Sequence, residues 1–143
     1  MTEMTMTTRP LPRQPEPDSE PFWAATTRHE LRYQQCRRCG RAVFFTRAVC
    51  PGCGSGDLEL KLSQGAGTIY SLTVVRRDGQ PFFRERTPYI YALVDLDEGF
   101  RIASEIVTRD VDRVAISDRV QLTWEDHDEV GIPLFEPAAE RES

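Results

Sequence analysis

The chain has 143 residues, with 23 acidic and 18 basic side chains and a formal charge of −5, the wrong sign for a protein whose affinity comes from neutralising phosphates. Its length suits one domain, or two small units sharing a core. No apolar run approaches the roughly 20 residues needed to cross a bilayer, and the N-terminus lacks the apolar stretch of a signal peptide, so a cytoplasmic chain with reduced cysteines is expected.

Residues 1 to 17 are rich in Thr, Pro and Arg without apolar periodicity, and read as a disordered or draped arm. "DSEPFWAATTRHEL" has helix-start chemistry: Asp18 or Ser19 can cap, Pro21 suits the first turn, and the short helix is expected to end near His29. Its Phe22 and Trp23 need cover, either from the chain's own core or from a partner. "LRYQQ" leads into the cysteine segment as a strand, "AVFFTRAV" bridges the two cysteine pairs, and "DLELKLS" alternates like a strand with one wet face. Gly65 and Gly67 flank a bend before the longer strand "TIYSLTVVRR". A looser segment, "RRDGQPFFRERTP", carries Phe82 and Phe83 together with Arg76, Arg77, Arg84 and Arg86. "YIYALVDL" and "FRIASEIV" are strands joined by "DEG", where Gly99 supplies a positive φ. "TRDVDRVAISD" is a connector with room for one helical turn, "RVQLTWED" is a strand, and "GIPLFEPA" an extended ending. Five strands after residue 66 with one non-hairpin connector suit a small Greek-key barrel of the OB type, although an SH3-like barrel needs a similar string.

Every cysteine lies in one motif: Cys36 and Cys39, ten intervening residues, then Cys50 and Cys53. Each C-x2-C pair can turn both thiolates onto one ion, and Gly40 and Gly54 follow where a tight turn demands positive φ. A closed tetrahedral zinc site is expected, with iron in the same all-sulfur geometry as the competitor. Four thiolates leave no coordination position open for water or substrate, so the ion is a staple rather than a catalyst.

Committing the cysteines removes a thiol nucleophile. His127 sits in the acidic run "EDHDEV" and reads as a surface residue, and no serine lies in a G-x-S-x-G turn. Asp95, Asp97 and Glu105 are carboxylates that a shared sheet end would gather, or that simply face solvent. No catalytic residue is assigned, and any chemistry is expected from another chain. The rival reading is a nucleic-acid module stacking bases on Tyr70, Tyr89 or Tyr91, against which stand the net charge and a single lysine, Lys61. A second rival is a self-sufficient hydrolase or lyase.

The order and spacing of "PFWAATTRHELRYQQCRRCGR", "CPGCGS", "GAGTIYSLTVVRR", "PYIYALVDLDEGFRIASEIV" and "VQLTWED" resemble the DUF35 family from about Pro21 to Pro137. Ser117, in "AISDRV", stands where such proteins commonly carry Gly. The resemblance implies a mainly β protein: an N-terminal helix, a rubredoxin-like four-cysteine zinc ribbon, then a five-stranded OB barrel. On that basis the chain divides into an arm (1–17), helix and ribbon (18–62), barrel (63–137) and a disordered tail (138–143). It further implies a non-catalytic companion of a thiolase or lipid-transfer-protein-like aldolase that acts on acyl-CoA C–C bonds, as in steroid side-chain degradation. The assembly would be a heterodimer or heterotetramer with acyl-CoA at the subunit boundary and no membrane contact. Phe22, Trp23, Phe82 and Phe83 are the expected partner contacts. Arg76, Arg77, Arg84 and Arg86 would meet the phosphates of coenzyme A, or serve only as solvated loop charges.

Overall fold

Two β-sheets follow one another along the chain in a computed structural model that describes residues 9–11, 17–128 and 130–138. The expected arm and tail fall almost wholly outside those residues. A 3-10 turn (Pro17–Ser19) leads into α1 (Glu20–Thr26), with Pro21 in its first turn, where a missing N–H costs nothing. Phe22, Ala25 and Thr26 recur at helical spacing and form its buried face. The helix runs into a turn that closes at His29, at φ 60°, near the end the sequence implied.

The first sheet has the order β2-β1-β3, with β1 (Arg32–Cys36) central between β2 (Ala42–Val43) and β3 (Leu58–Leu62). β1 and β3 are antiparallel over five pairs, from Arg32↔Leu62 to Cys36↔Leu58. The bridge between the cysteine pairs is a strand only at Ala42–Val43, since Phe44 and Phe45 leave the sheet to pack edge-on against Phe22.

The second sheet closes on itself in the order β4-β5-β6-β8-β7, built from β4 (Ala66–Val75), β5 (Tyr89–Leu96), β6 (Arg101–Ile106), β7 (Arg119–Asp126) and β8 (Gly131–Pro137). β4 serves both ends of the closure. Residues 66–68 pair with β7, and the strand pairs with β5 along its length, with a bulge between Ile69 and Ser71 that bends it. The "extended ending" is thus a full strand, seven pairs long against β7. "DEG" forms the expected hairpin, with Gly99 at φ 105°. The connector holds a 3-10 turn (Val111–Arg113), and the loose segment holds a single helical turn, α2 (Pro81–Arg84), capped by the Gln80 side chain accepting from the Phe82 N–H.

The barrel core is filled from alternating positions, including Ile90, Ala92, Val94 and Leu96 of β5, with Ile102, Ile106, Val120 and Phe135. An aromatic series, Trp23–Phe22–Phe44–Phe100–Tyr33, runs from helix through ribbon to the β5–β6 turn with centroid spacings of 4.8–5.4 Å. It joins the two sheets. On the other side α1 meets β8 where Gly131 donates its N–H to Thr26 Oγ1, and a Cβ at Gly131 would lie 2.6 Å from the Thr26 carbonyl oxygen. Only glycine allows that approach.

Candidate metal centre and barrel cleft

Each cysteine pair is built by the same local turn. Cys36 N–H donates to the Arg41 carbonyl and accepts, through its own carbonyl, the N–H of Gly40; Cys50 does the same with Ser55 and Gly54. The two glycines lie at φ 82° and 80°, as the motif requires. The turn leaves free backbone donors over sulfur: Cys39 N–H to Cys36 Sγ at 3.4 Å and Gly52 N–H to Cys50 Sγ at 3.3 Å. Cys36 and Cys50 are buried with Val43, while Cys39 lies at the surface.

The four sulfurs lie within 4.8 Å of one another, with Cys36–Cys53 and Cys39–Cys50 both at 3.6 Å. Sulfurs at the corners of a tetrahedron around a metal with bonds of about 2.3 Å are about 3.8 Å apart, so the cluster fits a single four-coordinate ion. Its electrostatics agree. The Cys39 N–H, with smaller help from Arg38, draws the Cys36 thiol down to about 6. At Cys50 burial raises the thiol but is outweighed by the N–H groups of Cys53 and Gly52. Cys53 is pushed up to about 11: the Ser55 N–H favours its thiolate, but burial and three neighbouring sulfurs oppose another negative charge. A cation completes what the sulfurs resist alone.

Above the β6–β8 side of the barrel lies a cleft of about 350 Å³. Trp23, Phe45, Phe83, Tyr91, Ile102 and Leu134 give it an apolar wall, with Asp78, Tyr89 and Glu105 at the polar margin. It opens there because β6 and β8 run parallel and share one register pair, Ile106↔Phe135. Ser104 Oγ donates to the Pro133 carbonyl at 2.7 Å across the gap, at a position where Pro133 has no N–H of its own to give. Sequence alternation marks these strand residues as core; nothing in it signals that the strands part.

The structure separates the candidate site residues. Phe22 is 1% exposed, so its ring is spent on the chain's own core, and the helix leaves Trp23 partly open at the cleft instead. Phe82 and Phe83 are half-buried, edge to face at 5.0 Å, with Phe83 against Tyr89. Arg84 is held by the carbonyls of Asp78 and Gly79, and Arg86 by Glu105. Arg76 and Arg77 project into solvent, Arg76 3.8 Å from the still more exposed Asp112. The carboxylates do not gather: Asp95 pairs with Arg101, Asp97 with Arg119, and Glu105 with Arg9 and Arg86. His127 is not the surface residue expected, its side chain 23% exposed beside Glu125, while His29 stacks on Trp124 at 5.2 Å and meets Asp126 at 2.6 Å. Tyr70 and Tyr91 are half-exposed, but Arg101 covers Tyr70 at 3.6 Å. Tyr89 donates to Asp78, and burial together with that carboxylate raises its phenol to about 12.

A helix followed by a four-cysteine ribbon and an OB barrel defines the class. The sequence matches "ChsH2, rubredoxin-like zinc ribbon domain" over residues 23–59 and "ChsH2, C-terminal OB-fold domain" over residues 61–125. The chain belongs to the DUF35 family. It is 33% identical over 125 residues to a DUF35 domain-containing scaffold protein of Methanothermobacter thermautotrophicus, covering 87% of this chain and 83% of that one. It is 34% identical to a probable enoyl-CoA hydratase alpha subunit of Thermomonospora curvata, of which it spans only 38%. It is 31% identical to the benzoylsuccinyl-CoA thiolase subunit BbsA of Geobacter metallireducens, spanning 60% of that protein. Among solved structures, a chain of the "Ltp2-ChsH2(DUF35) aldolase" superposes with a TM-score of 0.78 at 30% identity, covering 88% of this chain and 98% of the other.

Proposed function

We propose that this chain is the non-catalytic accessory subunit of a thiolase-superfamily enzyme, a thiolase or a lipid-transfer-protein-like aldolase, acting on acyl-CoA C–C bonds. The observation that carries the reading is the near-complete superposition on a DUF35 chain of an aldolase, supported by the thiolase subunit among its relatives. The ion of the ribbon is zinc, in a saturated site that braces the scaffold and takes no part in bond making. Trp23, Phe82 and Phe83 offer partly exposed aromatic area for the catalytic subunit, with Phe22 contributing from behind as the packing that fixes Trp23. Arg76 and Arg77 precede the cleft residue Asp78 in the chain and are exposed, so they can meet coenzyme A phosphates, Arg76 by leaving its exposed pairing with Asp112. The nucleic-acid reading is disfavoured because Arg101 and Arg119 on the barrel are each matched to a carboxylate.

The test is co-expression with thiolase-like and lipid-transfer-protein-like subunits from the same genome, followed by size exclusion and an acyl-CoA cleavage assay. A stable hetero-oligomer in which the catalytic chain gains activity is expected, and Arg76→Ala with Arg77→Ala should raise its KM for acyl-CoA severalfold. Turnover by the isolated accessory chain, or failure of every such subunit to co-elute, would overturn the reading. Unchanged KM in the double variant would remove the phosphate role alone.

A further inference from the structure

Arg9 lies far from the barrel in sequence and deep against it in space. Its side chain is 9% exposed. Nε donates to Glu125 Oε1 on β7, and Nη2 donates to Glu105 Oε1 on β6 at 3.3 Å. The guanidinium carbon sits 4.9 Å from the Phe82 ring centroid and 5.4 Å from that of Phe83. Glu105 gives its second oxygen to Arg86, whose own guanidinium lies 5.1 Å from Phe82. Two carboxylates therefore meet the nitrogens of the cation while its central carbon lies close to two aromatic rings set at 88° to one another. Several N–H donors on a flat, weakly hydrated cation suit that combination better than a compact ammonium does. Charge balance points the same way. The Glu105 side chain is 11% exposed and that of Glu125 28%, so removing Arg9 leaves Glu105 with Arg86 alone and Glu125 with only His127 at 3.9 Å.

We propose that Glu105, Glu125, Phe82 and Phe83 form a guanidinium-binding cradle that Arg9 fills in cis, strapping the chain at Arg9 to the rim of the barrel cleft. Arg9 itself lines that cleft, together with Trp23 and Phe83, so the strap fixes both the access to the apolar wall and the position of α2. The cradle stands on this chain's own contacts and does not depend on the accessory-subunit reading.

Chemical rescue tests it on the full-length, metal-loaded chain. Arg9→Ala should lower Tm by about 5–10 °C and increase binding of an apolar fluorescent probe such as anilinonaphthalene sulfonate. Ethylguanidinium at about 10 mM should then restore at least half of the lost Tm, because guanidinium is the fitted group. Ethylammonium or sodium chloride at equal ionic strength should not. Adding Glu125→Gln to Arg9→Ala should abolish the rescue. Arg9→Lys, which keeps the charge and folds more readily, should melt between wild type and Arg9→Ala. Wild-type melting in Arg9→Lys or Arg9→Ala, or rescue no better with ethylguanidinium than with ethylammonium, would overturn the cradle.

Discussion

The ribbon and the barrel solve the problem of stability in opposite ways. The barrel gathers a buried cluster that runs from Ile69 to Phe135, with Phe22 of α1, Tyr33 of β1 and Leu31 between them added to it. The ribbon's own buried cluster is Cys36, Val43 and Cys50, so most of its interior is ligand. β3 even turns Leu60 and Leu62 outward, 43% and 46% exposed. A segment this thin cannot offset its conformational entropy by burial, and the metal supplies what the side chains do not. The lesson is that one chain can place its hydrophobic capital in one half and its coordination chemistry in the other.

The sharpest way to break this contrast is to remove the ion. A structural metal of this kind contributes about 10 kcal/mol or more to the fold it organises, so chelation or Cys50→Ser should unfold the ribbon. Hydrogen exchange should show residues 32–62 losing protection while β5 and β7 keep theirs. Uniform loss across both sheets would mean that the two halves are one cooperative unit. The reciprocal change, Phe135→Ala at a 0%-exposed barrel position, should cost about 3–5 kcal/mol in chemical denaturation without altering metal content. Gly131→Ala attacks the junction. Its methyl would press on the Thr26 carbonyl, costing about 2 kcal/mol and shifting Trp23 fluorescence as α1 lifts, with both folds retained. The smallest effect has the opposite sign. Ser117 sits at φ 81°, so Ser117→Gly should stabilise the barrel by about 1 kcal/mol or less, read as a small rise in Tm.

That serine shows how far sequence reading carries. Ser in place of the Gly that the resembling family commonly carries put this turn in doubt, and the structure holds Ser117 at φ 81°, a conformation that strains a residue with a side chain. The cysteine motif was fully legible because ligand spacing dictates local geometry, down to the φ of Gly40 and Gly54. Strands β5 and β7 were legible residue for residue; burial alternates along the whole of β5, and in β7 only over its first residues. Two things were hidden. The inward turn of Phe22 depends on Phe44 and Phe45 arriving from the ribbon, a contact that no local pattern encodes. Arg9 carries no signal either, since an arginine among threonines and prolines looks the same whether it is solvated or clasped by Glu105 and Glu125, about a hundred residues away.

The single register pair between β6 and β8 has a mechanical corollary. Elsewhere around the cylinder each seam has three to eight rungs, and here one rung and the Ser104 hydroxyl hold the staves together. Anything lodged in the cleft touches both staves at once, through Ile102 on one side and Leu134 on the other. A guest at that spot would act as a splint, making the slackest part of the cylinder its stiffest.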